Sequence, residues 1–263
     1  MPPADPSSDT ASGTAPHFLR LNKRGMGRLA RSLRLREGDV LVAVNGEQFQ
    51  GDAKALKAFF DADENSDESH RFLLTFWRKG VFFHLLVEAE LKADFEFCDA
   101  ETALEILRRF PELSFAPLET YEVYEVFRDI RRVCAMHSTK PDPLATYLPA
   151  LWMLNRRLYY PMLAVTVVYA ISLLAHWAMF LLAYLLISLY ARRAQLTLLR
   201  SYQLFEERLF WFVLAERSEE AAQATCRLID PEIRFIFDTA PPPKKKKRNS
   251  AAGAVASGRP GAA

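Results

Sequence analysis

From Leu158 to Ala191 the chain reads LYYPMLAVTVVYAISLLAHWAMFLLAYLLISLYA, without one Asp, Glu, Lys or Arg. A single helical span needs about 20 mostly apolar residues, and this stretch is well beyond that. The central helix of a water-soluble domain is rarely both so long and so free of charge. The stretch fits a membrane better than a protein interior, and the rest of the chain is read relative to it.

Two arrangements compete. One straight helix would be about 50 Å long at 1.5 Å per residue. That exceeds a hydrocarbon core of about 30 Å and demands strong tilt or protruding ends. A hairpin broken near Ala175-His176-Trp177 gives two runs of about 16 residues, each slightly short for a span. It would set Tyr159, Tyr160 and Tyr190 at one headgroup level and His176 and Trp177 at the other, where Tyr and Trp rings partition well. Flanking charge separates the two. Arg156 and Arg157 precede the stretch, and Arg192 and Arg193 follow it. Basic residues beside a membrane segment favour the cytosolic side, and only a hairpin keeps both pairs there. The leading residues, MPPADPSSDTASGTAP, lack the apolar core of a signal peptide. The expectation is a hairpin in the inner (plasma) membrane with both termini cytoplasmic. His176 would be a functional candidate inside a single span; at a hairpin tip it is simply interfacial.

Composition adds bounds. The formal net charge is +2, so any basic bias is local. The three cysteines, Cys98, Cys134 and Cys226, lie far apart, with neither metal spacing nor an even count. A reducing, cytosolic setting suits them.

Residues 1–15 are rich in Pro, Ser, Asp and Thr and predict disorder. A folded unit is expected over 17–91. His17 to Leu21 is a candidate strand. Arg36-Glu37-Gly38-Asp39 is a turn signal, Val40 to Val44 an apolar strand, and Asn45-Gly46 a tight turn. Asp52 can cap a helix holding Ala55, Leu56, Phe59 and Phe60. The acidic DADENSDES run predicts a solvated loop. Two strands, Arg71 to Trp77 and Val81 to Leu91, flank Arg78-Lys79-Gly80. The expected core is Leu41, Val44, Leu56, Phe59, Leu74, Phe76 and Leu86.

This order, with Leu35-Arg36-Glu37-Gly38-Asp39-Val40-Leu41-Val42-Ala43-Val44-Asn45-Gly46 at its centre, resembles a bacterial-type PDZ domain. The resemblance implies an α+β fold that binds peptide by strand addition, with loop amides holding the peptide carboxylate. Gly25-Met26-Gly27 is the loop such a mode would use, with Arg24 and Arg28 adding charge and Leu56 on the groove helix. The loop follows the first strand, opposite to the family's usual order. Weak or absent binding of free C-terminal peptides is therefore expected, with recognition moved to a strand edge or a helix face.

Residues 92–155 are expected to form a helical connector. Asp99 can cap a helix carrying Ala103, Leu104, Leu107 and Phe110, which Pro111 ends. Leu118, Tyr121, Tyr124, Phe127, Ile130 and Val133 recur at helical spacing and predict a second helix to about His137. After Lys140-Pro141-Asp142-Pro143, a short helix near Leu148 to Leu154 would lie at the membrane interface with Trp152 as anchor. Pro149-Ala150-Leu151-Trp152, Arg156-Arg157-Leu158-Tyr159, the apolar stretch and RRAQLTLLRSYQLFEERLFWFVLAERSEEAA together resemble a family of small bacterial inner-membrane proteins of unassigned function, over about 144–224. That resemblance implies topology and no activity. Residues 192–238 predict a small cytosolic cap: a helix over 194–207, a strand at 209–214, a helix from Ser218 through Leu228 and a weak strand at 233–237. Residues 239–263 predict a disordered basic tail. Its Lys244, Lys245, Lys246, Lys247 and Arg248 suit anionic lipid at about 1 kcal/mol per basic residue near the surface, better than nucleic acid.

No G-x-S-x-G, H-E-x-x-H or Walker loop is present. The histidines His17, His70, His84, His137 and His176 have no ligand spacing, and nothing calls for a metal or cofactor. The sequence thus predicts an α+β, PDZ-like N-terminal domain on an α-helical membrane hairpin over 158–191, with a small α/β C-terminal cap. The expected role is non-enzymatic: a cytosol-facing, membrane-anchored protein-binding adaptor or scaffold. Two alternatives stand beside it: an accessory subunit of a membrane complex that associates through the hairpin, and a partner that presents substrates to a membrane protease.

Overall fold

The computed structural model describes residues 17–23, 25–63 and 71–239. Arg24, the 1–15 segment, most of the acidic loop and the Lys244–Arg248 run lie outside the described residues. The fold is mixed α+β, built from two sheets and a projecting pair of helices.

The first sheet has strand order β5-β4-β2-β1-β6, where β1 is Leu19–Leu21, β2 Val40–Val44, β4 Phe72–Arg78, β5 Val81–Val87 and β6 Phe95–Phe97. A short β3, Glu47–Gln48, folds back on β2. Asn45-Gly46 and Lys79-Gly80 turn these hairpins with all four residues at positive φ (51°, 86°, 48° and 88°), the geometry that two-residue turns require. The Asn45 carboxamide oxygen also accepts from Leu73 N at 2.9 Å, which ties the turn to β4. After the short helix α1, Arg28–Ser32, Asp52 accepts from Ala55 N at 2.7 Å and opens α2, Ala53–Asp63. Asp99 accepts from Thr102 N at 2.9 Å and opens α3, Ala100–Arg109.

β2 is buried along its whole length because it is covered on both faces. Val40 and Val42 face Phe18, Trp77 and the Ala103–Ile106 face of α3. Leu41 and Val44 face the main core, with Leu56, Leu74 and Phe76. Phe59 is instead exposed. In β5 the inward positions are Leu85 and Val87, which leaves Leu86 half-buried. The sheet does not stop at residue 91, since β6 adds to β1 with Leu19 opposite Phe97 and Leu21 opposite Phe95.

The second sheet corrects the expected helical connector. Residues 118–137 do not form a helix. Leu118–Thr120 is one 3-10 turn, followed by an antiparallel hairpin of β7, Glu122–Arg128, and β8, Val133–Ser138. Ile130, placed by helical spacing on an apolar face, sits 97% exposed at the hairpin tip. The apparent periodicity arose because β7 is covered on both faces, so apolar residues fall on consecutive positions. Tyr124 and Val126 enter the main core, while Glu125 and Phe127 occupy the opposite face. β9, Leu209–Glu216, pairs antiparallel with β7. α8, Glu219–Ile229, starts at Ser218, whose hydroxyl accepts from Ala221 N at 3.2 Å. β10, Arg234–Phe235, pairs parallel with β8. The expected cap over 192–238 is thus completed by strands from 122–138.

The two sheets share one core. Phe83 of β5 meets Phe212 of β9 at 5.1 Å between ring centroids. The Arg78 guanidinium lies over both rings, at 4.9 and 5.0 Å. It donates to both Asp39 carboxylate oxygens at 2.6 Å and to the Arg34 carbonyl at 3.2 Å. Asp39 is fully buried and also accepts from Arg36 N at 2.7 Å. The Arg-Glu-Gly-Asp turn of the first sheet is thereby locked to β9 of the second.

Candidate functional site at the root of the helical hairpin

The loop and strand expected to receive a peptide do come together, but the chain fills the space between them. β1 has β2 on one side and β6 on the other, so neither edge is open. Asp94 N donates to the Gly25 carbonyl at 3.1 Å, and Asn22 N to the Asp94 carbonyl at 3.0 Å. A Cβ at Gly25 would lie 1.9 Å from Asp94 Cγ, and one at Gly27 2.2 Å from the Lys92 carbonyl oxygen. The glycines are needed for this close approach of Leu91–Asp94 rather than for a ligand. Met26 packs against the main core, and Leu56 is buried inside it.

The other expected site is the apolar stretch. It forms two helices, α6 (Tyr159–Ala175) and α7 (Trp177–Phe205), joined through His176. His176 is extended (φ −170°, ψ 140°), and its Nδ1 accepts from Ala178 N at 3.1 Å, so its role is to cap α7. The helices pack as an antiparallel pair. Tyr169 meets Phe180 edge-on at 5.6 Å and Tyr184 at a tilt at 6.1 Å, and Tyr160 meets Phe205 at 5.6 Å. α6 buries no residue fully. Leu163, Val167, Ile171 and Leu174 on α6, and Leu182, Leu185, Leu186 and Leu189 on α7, are exposed, Leu174 to 87%. Among the described residues α7 is the one helix long and apolar enough to cross a membrane; α6 is a shorter apolar helix. Tyr159, Tyr160 and Tyr190 are exposed beside the basic residues at the base, and Trp177 is exposed at the tip.

Trp152 is not a surface anchor. α4, Leu144–Tyr147, and α5, Pro149–Asn155, form the root of the hairpin, and Trp152 is fully buried there with Ala145, Met153, Leu158 and Leu199. Asp142 N donates to Gln195 Oε1 at 2.9 Å, and Arg156 reaches Asp142 Oδ2 at 3.4 Å. The Tyr184 hydroxyl donates to the Tyr147 carbonyl. Arg157, at φ 57°, makes the turn into α6 and holds its guanidinium 4.1 Å from the Phe237 ring centroid. Arg192 and Arg193 are exposed on α7.

Past Ala191, α7 continues unbroken across the second sheet. Arg200 donates through Nε to Glu125 Oε2 at 2.9 Å and through its terminal nitrogen to Oε1. His137 Nε2 is 3.6 Å from Glu125 Oε2, and its ring stacks on Phe127 at 5.3 Å. Burial alone would raise the Glu125 carboxyl pKa. His137 and Arg200 more than offset that and hold it at about 2. A helical reading of 118–137 hides this cluster, because it puts Glu125 on the solvated side. A carboxylate between Tyr124 and Val126 in a strand would have signalled a buried charge needing a partner.

Among the described residues no group of His, Cys, Asp and Glu is arranged to hold a metal ion. Burial pushes the Cys134 thiol up to about 12 and that of Cys226 well above its ordinary value, so neither is a ready thiolate nucleophile. His84 is lowered to about 4 by burial and by Arg217, and it pairs through Nδ1 with the Thr75 hydroxyl at 3.0 Å, a neutral core histidine. The site that remains is the hairpin, its root and the α7 rod that joins them to the sheets. No protein-family model matches the chain, and a search of curated proteins finds no match either.

Proposed function

We propose that this protein is a membrane-anchored, cytosol-facing docking scaffold whose hairpin over 158–191 enters the inner membrane. The observation that carries the reading is the apolar surface of α6 and α7. Soluble monomers rarely leave contiguous apolar patches beyond a few hundred Å², and both of these helices are apolar over their outward faces. The paired Arg residues at the hairpin base support a cytosolic position for both termini. The first sheet, with its PDZ-like order of turn, strand, helix and hairpin, is the presented module. Its self-filled groove directs partners to other surfaces.

A second reading is favoured by the same self-filled groove: an accessory subunit that associates with a membrane complex through the hairpin. Phe97→Glu and Leu104→Glu, at exposed positions beside the first sheet, would separate the two without cutting the shared core, because partners lost with them support docking and partners kept support the hairpin. The membrane reading is tested by reporter fusions at both ends of the chain. Cytosolic signals at both are expected; a periplasmic C-terminus would overturn the hairpin. Titration of the full chain with C-terminal peptides should show no carboxylate-dependent binding.

A further inference from the structure

We propose that a recess of about 290 Å³ at the hairpin root binds the phosphate-bearing headgroup of a membrane phospholipid. The inference rests on the membrane reading and adds to it a specific site and ligand class. The recess lies between β8, the α5–α6 turn, α7 and the segment after β10, and its polar wall includes His137, Asn155, Arg156, Arg157, Gln203 and Thr239. Arg156 and Arg157 immediately precede the first apolar helix, so the recess opens at headgroup level once the hairpin is inserted.

Two of its groups have donor capacity that the fold leaves unused. His137 is only 4% exposed, and its Nε2 faces Glu125 Oε2 at 3.6 Å, close enough to favour that carboxylate's charged form but too long for a hydrogen bond. Arg156 Nε is buried without a partner, while the far end of the same guanidinium reaches Asp142 at 3.4 Å. Such groups are costly to bury unless something completes them. Arg157 is exposed on the rim, its charge held over Phe237. A phosphodiester supplies acceptors for all three, and paired arginines are well suited to it.

The acidic groups around the recess set the selectivity. Asp142 offsets Arg156, Glu125 is engaged by Arg200, and Glu219 lines the rim. A wall carrying both signs suits a headgroup with an ammonium as well as a phosphate, such as phosphoethanolamine, over a multiply charged free anion.

The test uses the full chain, relipidated with a phosphatidylethanolamine and phosphatidylglycerol mixture, then washed with detergent. Retained phospholipid is counted by mass spectrometry, and flotation with liposomes reads membrane insertion separately. The wild type should float and retain phospholipid, with phosphatidylethanolamine enriched over the supplied mixture. Arg156→Gln/Arg157→Gln should float equally and retain about tenfold less, the order expected for losing charge-assisted bonds. Arg157→Gln alone, on the rim, keeps the test open if the double variant misfolds, and should also lose retention. Arg192→Gln/Arg193→Gln removes the same charge outside the recess and should retain lipid like the wild type. Equal retention in all variants, or equal loss in both pairs, would overturn the site. Displacement of the lipid by millimolar inorganic phosphate would assign the recess to a soluble anion and overturn the lipid. A wild type that fails to float sinks the membrane reading itself; one that floats without retained lipid sinks this inference alone.

Discussion

The two-sheet body and the helical hairpin use the same apolar side chains to opposite ends. In the body Leu41, Leu74, Phe76, Phe83 and Phe212 turn inward and close on one another, and the Asp39–Arg78 pair among them is sealed. In the hairpin Leu163, Leu174, Leu182 and Leu186 turn outward and stay exposed. Burial is the ordinary fate of leucine, and an exposed run of them along two helices is the surface that the proposed membrane insertion would cover. In that proposal the Arg pair at each end of the hairpin lies at headgroup level. α7 runs without a break from the apolar stretch to Arg200, which pairs with Glu125 of the second sheet.

The sharpest way to break this contrast is at the sealed pair. Arg78→Ala leaves the Asp39 carboxylate buried and unpaired, and it strips the cation from the Phe83–Phe212 joint. A loss of about 3–5 kcal/mol is expected for one partner of such a pair. Denaturant unfolding of the full chain in mild detergent measures it, and a change below 1 kcal/mol on the order of surface effects would deny the seal. Next come matched leucines. Leu56→Ala, in the core, should cost about 2–5 kcal/mol. Leu174→Ala, on the hairpin, should leave that unfolding unchanged and weaken liposome association instead, since it removes only exposed apolar surface. Equal losses at both positions would mean that the hairpin is packed like the body.

The junction between the regions should respond to pH. Glu125 is held at about 2, below the ordinary 4.5. A depressed carboxylate contributes stability that is full above about 4.5 and is lost as pH falls towards 2. Arg200 is 51% exposed, so screening discounts the pair to about 1–2 kcal/mol. Glu125→Gln should flatten the fall in stability between those values. An unchanged acid limb would show that other carboxylates carry it.

Much of the body was legible because local chemistry and fold agree. Asn45-Gly46, Lys79-Gly80, Asp52, Asp99 and Ser218 each make the turn or cap their types dictate. The break at His176 followed from length and aromatic placement. The failures share one cause, which is that tertiary neighbours were invisible. Trp152 suited an interface by composition, yet α7 supplies Leu199 to bury it. The Gly25–Gly27 loop suited a ligand, yet Leu91–Asp94 returns to fill it. Glu125 and His137 became a site only once β7 and β8 were paired beneath α7.

The strand reading of 118–137 leads to the smallest expected effect. In a helix, Ile130 would share an apolar face with Phe127 and Val133, and a charge there would cost what any buried apolar position costs. In the hairpin it stands in the turn between Asp129 and Arg132, where Asp129 Oδ1 already accepts from Val133 N at 2.7 Å and Arg132 adopts φ 64°. Neither contact involves the Ile130 side chain, which faces solvent. Ile130→Lys should therefore change stability by no more than about 0.5 kcal/mol, the range of surface substitutions. Val126→Lys, four positions earlier and fully buried in β7, should abolish folding of the second sheet. Denaturant midpoints for the two variants check both expectations, and comparable losses would restore a buried face that includes Ile130.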